Sequence, residues 1–178
     1  RTRLTQPCAD KTTFASSATM KSSSWNSGSS TAPTISCLDA GTDELALVVF
    51  SLDTKAFPVH VGPADFMKDL QSVGARKPGQ ATSVTIGLTA AIELAQKEGE
   101  PGLREVVVFT DAGDEADVDK TVWAAVIAKA KEAGVRISIV LPTDDKKPTG
   151  TKHEFWVTTT TNLNRVATET AGSYLTSN

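Results

Sequence analysis

Leu45-Ala46-Leu47-Val48-Val49-Phe50 is an unbroken apolar run. It is too short for an ordinary helix and shows no polar alternation, so it predicts a strand buried on both faces. Two runs of the same kind follow: Val106-Val107-Val108-Phe109, and Val135 to Leu141, the latter closed by Pro142. Between and around them the apolar spacing turns helical. Pro63-Ala64-Asp65-Phe66 opens a short helix with Phe66, Leu70 and Val73 on one stripe and Gly74 at its end. Ser83 to Glu98 is a second helix, with Leu88, Ile92 and Ala95 on its stripe and Gly99 and Pro101 as its stop. Val118, Val122, Ala125, Val126 and Ala133 mark the longest helix, with Gly134 just past it. Phe155-Trp156-Val157 reads as a fourth strand, ahead of a last helix around Leu163 to Thr170. Apolar strands alternating with amphipathic helices predict an α/β fold, a doubly wound, mostly parallel central sheet flanked by helices in three layers. In such folds ligands sit beyond the carboxyl ends of the strands.

The 178 residues suit one domain spanning 1–178. Hydrophobic residues at 39% and charged residues at 22% exclude wholesale disorder. Lys and Arg number 18 against 21 Asp and Glu, a net charge of −3, whereas a protein living on phosphate neutralisation is normally basic. A nucleic-acid partner is therefore not expected. No apolar run approaches the roughly 18–20 residues of a membrane span.

The first forty residues have a different character. A Ser/Thr-rich irregular segment around 21–36 contains Ser22-Ser23-Ser24-Trp25-Asn26-Ser27-Gly28, whose small polar residues favour turns. One short helical turn is expected near Ile35-Ser36-Cys37-Leu38. The chain opens at Arg1 with no apolar leader, as expected if a signal peptide has been removed or left out. Cys8 and Cys37 are the two cysteines. In an exported protein, which the abundant Ser and Thr suggest, they are expected to pair, and the chain-entropy model values such a loop at roughly 3.5 kcal/mol. Two unpaired thiols are the alternative.

Catalytic patterns are missing. No G-x-G-x-x-G follows a strand, no G-x-x-x-x-G-K-[ST] occurs, and there is no G-x-S-x-G elbow. The two histidines, His60 and His153, read as edge or loop residues. An acidic cluster of Asp111, Asp114, Glu115, Asp117 and Asp119 follows the Val106–Phe109 strand without calcium-loop spacing. Most of it reads as a solvated loop and favourable charge at a helix start. Asp111 differs, because with Thr110 it comes directly off the strand at the ligand edge.

Four stretches then match in order and spacing: Leu45 to Ser51; Gly79-Gln80-Ala81-Thr82-Ser83 leading into Ile86-Gly87-Leu88; Val107-Val108-Phe109-Thr110-Asp111; and Leu163 to Tyr174 as a closing helix and last strand. Together, from Glu44 to Tyr174, they resemble a von Willebrand factor type A domain of the integrin inserted-domain kind. The resemblance implies a metal-ion-dependent adhesion site, built from D-x-S-x-S after the first strand, a Thr from a second loop and an Asp after a later strand. Those hard oxygen donors suit Mg²⁺, Mn²⁺ or Ca²⁺. Carried over by position, Ser17 and Thr19 are the two hydroxyls, Thr82 the second-loop threonine and Asp111 the last aspartate. The leading Asp is replaced by Ala15, and Lys11-Thr12-Thr13 is polar for a central strand. Either the metal site is degenerate or this segment aligns in another register.

The function implied is an extracytoplasmic adhesion or protein-binding module, not an enzyme. It would be extracellular, at the cell surface or periplasmic, and would engage a protein or matrix-like ligand that offers an acidic residue to the metal. The same fold acting as a metal-independent structural or assembly subunit is one alternative. An α/β-class hydrolytic enzyme is the other, and it would need His60 and Asp111 in one closed pocket.

Overall fold

The computed structural model describes residues 12–18, 43–51, 53–74, 82–110, 119–142 and 151–177; for 12–18, 74, 142, 151–153 and 177 it describes the backbone. The strands are β1 (Thr12–Ala18), β2 (Glu44–Phe50), β3 (Thr54–Ala56), β4 (His60–Val61), β5 (Arg104–Phe109), β6 (Arg136–Pro142) and β7 (Tyr174–Ser177). The described helices are α1 (Pro63–Gly74), α2 (Val84–Glu98), α3 (Lys120–Ala133) and α4 (Thr151–Glu169). The strands form one sheet in the order β3-β2-β1-β5-β6-β7, with β4 also on β2. The pairs β1–β2, β1–β5, β5–β6 and β6–β7 are parallel, and β3 and β4 run antiparallel to β2. This is the predicted doubly wound α/β sheet.

The Leu45–Phe50 run does what an unbroken apolar strand must. Ala46, Val48 and Phe50 enter the larger core with Val106, Val108, Ile137, Ile139 and Leu141. Leu45, Leu47 and Val49 enter a smaller core on the other face, with Phe57 and Phe66. Helices α2, α3 and α4 cover the first face, around a Trp123 that is wholly buried, and α1 covers β2 on the second. Helix stops fall where expected: Gly134 takes a left-handed φ of 63° just past α3, and its N–H donates to the Ala130 and Lys131 carbonyls.

Three expectations need correction. First, the polar stretch Thr12-Thr13-Phe14-Ala15-Ser16-Ser17-Ala18 is the central strand, paired on one side with β2 and on the other with β5. Pairing on both sides gives its backbone partners whatever the side chains, and threonine favours extended structure. Second, Phe155-Trp156-Val157 lies inside α4, not in a strand. The buried stripe of that helix is Thr159, Asn162, Leu163, Val166, Ala167 and Thr170, at helical spacing. Its first two members are polar, so apolar periodicity alone hid the front of the helix. Thr160 Oγ1 donates to the Trp156 carbonyl (2.9 Å) and Thr161 Oγ1 to the Val157 carbonyl (2.8 Å), so this threonine run bonds back onto its own helix. Third, α4 with 19 residues, not α3 with 14, is the longest described helix. The segment 21–36, the turn near Ile35–Leu38, and Cys8 and Cys37 lie outside the described residues.

Candidate functional site

The parallel strands all end on one edge, at Ala18, Phe50, Phe109, Pro142 and Ser177. This is the edge where a doubly wound sheet presents its ligand loops. Two close packings build the described part of it. Gly87 lies over Phe50, the last residue of β2, so tightly that a Cβ there would sit 2.4 Å from Phe50 Cγ. Glycine therefore lets the start of α2 come down onto the strand end. Ser83, buried at the N-cap of α2, then donates its N–H to the Ser51 carbonyl (2.7 Å) and accepts from the Ile86 N–H (3.5 Å). Ser51 closes the turn after β2, its hydroxyl donating to Asp53 Oδ1 and its N–H to the Asp53 carbonyl, both at 2.8 Å. Thr82 stands half-buried just before the cap. On the far side of β1, the buried Thr110 follows β5 and donates its N–H to the Val140 carbonyl (3.4 Å). Asp119 caps α3, whose start is at the same edge, by accepting from the Thr121 N–H (2.8 Å). That bond holds the Asp119 carboxyl below the usual carboxylate range. The edge thus carries hydroxyls from three separate segments and the positive ends of two helices.

Of the sequence-derived ligands, Thr82 lies at this edge, while Thr19 and Asp111 fall outside the described residues. Ala15 and Ser17 do not lie on a loop after the first strand. Both are inside β1, with Ala15 level with Leu47 and Val107 and Ser17 level with Val49 and Phe109. At about 3.3 Å per residue, Ala15 sits roughly 7 Å below the end of β5. Among the described residues no three His, Cys, Asp or Glu side chains group as metal ligands. Ser51, Asp53 and Ser83 were not singled out from sequence as edge residues. Their signal was positional: a serine directly after the apolar strand, and a serine opening a helix.

His60 is at the other end of the sheet. It pairs in register with Leu45 at the start of β2, and its Nε2 lies 2.7 Å from Asp69 Oδ2 of α1. Leu45 and Phe50 are five residues apart along β2, about 17 Å in an extended strand, so His60 serves β4–α1 packing away from the loop edge.

In sequence the chain matches no protein-family model and no curated protein. In three dimensions it is similar to several solved structures. The SpRpn10 VWA domain matches at 13% identity and TM-score 0.56, covering 95% of this chain and 88% of that one. Proximal thread matrix protein 1 of the mussel byssus, with a zinc-occupied MIDAS motif, matches at 16% identity and TM-score 0.60 over 95% of this chain and 44% of that one. The pilus adhesin SpaC of Lactobacillus rhamnosus GG matches at 13% identity and TM-score 0.62 over 96% of this chain and 28% of that one. The chain therefore spans less than half of the matrix protein and of the adhesin. What the three share with it is architecture: this chain has the fold of a von Willebrand factor type A domain.

Proposed function

We propose that the chain is an extracytoplasmic adhesion or protein-binding module that engages a macromolecular ligand at the carboxyl edge of its sheet. The observation that carries this is the edge itself, where Ser51, Thr82 and Ser83 gather beside the start of α2. Two structural neighbours support it, one a byssal matrix protein and one a pilus adhesin. No helix among the described residues is long and apolar enough to cross a membrane. An extracellular, cell-surface or periplasmic location and a Cys8–Cys37 bond belong to the same reading. The reading is of a binding module, not an enzyme; the hydrolytic alternative would need His60 beside Asp111, and His60 pairs with Asp69 at the opposite edge while Asp111 lies outside the described residues.

The resemblance would have Ser17, Thr19, Thr82 and Asp111 hold a divalent cation that a partner's acidic residue completes. The neighbouring matrix protein with zinc in such a motif supports metal binding for this architecture. The donor set of this chain supports it poorly, since Ala15 and Ser17 are inside a strand. A specific observation therefore favours the second reading, a metal-independent interaction or assembly subunit with the same binding edge.

Immobilised matrix proteins provide the test. Binding is expected to be lost in the Ser51→Arg and Thr82→Arg variants and kept in Val61→Arg, which alters an exposed side chain at the opposite edge. Equal binding by all three, with unchanged circular dichroism, would remove the carboxyl edge as the ligand surface.

A further inference from the structure

A cation site at the end of a central strand needs its donors within one coordination shell, each about 2.0–2.6 Å from the ion. It also needs negative charge to offset two positive ones. Strand β1 runs to Ala18, and Ser17 is level with Phe109, the last residue of β5. The residue at the cation's level is thus at or after Ala18, not Ala15. Sliding the ligand motif forward does not help, because Lys11 to Leu38 contains no Asp or Glu at all. The residues after Ala18 are Thr19, Met20, Lys21, Ser22 and Ser23, which bring hydroxyls and one positive charge. In every register the first-loop carboxylate is missing. Of the motif's two aspartates only Asp111 remains, so the motif itself supplies one negative charge against the ion's two, and neutral hydroxyls cannot compensate.

We infer that this chain engages its partner at the carboxyl edge without the resident divalent cation that its fold implies. The consequence for ligand chemistry is direct: a partner carboxylate has no ion to complete, so recognition falls to direct hydrogen bonds and packing. This rests on the edge being a binding surface, but its test requires no partner. Failure of one reading therefore leaves the other standing.

Thermal unfolding of the whole chain is measured in EDTA and in millimolar Mg²⁺ or Mn²⁺, for wild type and for Asp111→Ala. A bound ion at a hundredfold excess over its Kd would raise the midpoint of a chain this size by roughly 5–10 °C. The expected result is one midpoint in all conditions. A saturable rise in wild type that Asp111→Ala removes would overturn the inference; a rise that survives Asp111→Ala puts the ion elsewhere and sustains it. Ala15→Asp is expected to add no metal response, because that position is level with Leu47 and Val107 inside the sheet. If Ala15→Asp folds and gains metal binding, the register on which the inference stands is wrong.

Discussion

The two edges of the sheet are built differently. At the amino edge, polar groups are consumed by the fold. Arg104, opening β5, donates to the Gln96 and Gly99 carbonyls at the end of α2 (both 3.0 Å) and to the Ala133 carbonyl at the end of α3 (2.7 Å). One guanidinium thus satisfies the negative ends of two helices. Beside it Glu105 accepts from Ser138 Oγ (2.8 Å) and lies 3.6 Å from Arg136, while Ser138 Oγ accepts the Ser173 N–H. His60 and Asp69 tie β4 to α1. At the carboxyl edge Ser51 Oγ, Ser83 Oγ and Asp119 close a turn or cap a helix, while the bonds between segments, Ser83 N–H to Ser51 and Thr110 N–H to Val140, run through the backbone, and Thr82 and Asp53 remain at least partly exposed. At the amino edge side chains tie the layers together, and the carboxyl edge is the one proposed above as the binding surface.

That contrast breaks most visibly at Gly172. A Cβ there would meet the Ile137 carbonyl oxygen at 1.9 Å, backbone against backbone. Gly172→Ala is therefore expected to cost about 3 kcal/mol, read from denaturant unfolding. Arg104→Ala should cost about 2 kcal/mol, since it leaves three helix-end carbonyls without their charged donor. Arg104→Lys should recover only part of this, because an ammonium lacks the fork that spans both helices. At the carboxyl edge the stability effects shrink. Ser83→Ala removes an N-cap and should cost about 1 kcal/mol.

Asp119→Asn keeps a capping side chain but removes a titration. The folded-state carboxyl is held below its usual range by Thr121, so its contribution is full above the unfolded carboxylate pKa and is lost as pH falls through the lowered folded value. The variant should flatten that acid limb of the stability curve and leave neutral pH nearly unchanged. Last, Asp53→Ala and Thr82→Ala are expected to alter stability by no more than about 0.5 kcal/mol. Any effect they have should appear in ligand binding. A large stability loss in either would erase the distinction between the edges.

The parts legible from sequence were those where burial and side-chain chemistry agree. Three apolar runs became β2, β5 and β6, and helices α1 and α2 begin and end at the proline, serine and glycine signals that announced them. Thr82, assigned from the resemblance, lies at the loop edge because it directly precedes the capped helix α2, whose Ser83 bonds to Ser51 at the end of β2. Where polarity and position disagree, the sequence misleads. The central strand β1 is polar, and the front of α4 buries Thr159 and Asn162. Periodicity cannot recognise either one, because backbone pairing with two neighbours, or threonine hydroxyls turned back onto their own helix, satisfies groups that a hydrophobicity pattern assigns to solvent.

The amino acids by themselves therefore determined the layered α/β class, the position of most helix stops and the absence of any carboxylate between Lys11 and Leu38. Those follow from composition and local spacing, which are written along the chain. The tertiary structure decided which strand is central, which end of the sheet Arg104 and His60 serve, and that Ala15 lies inside the sheet below its ligand edge. Register is a relation between segments far apart in sequence, and only strand pairing sets the level at which two such residues meet.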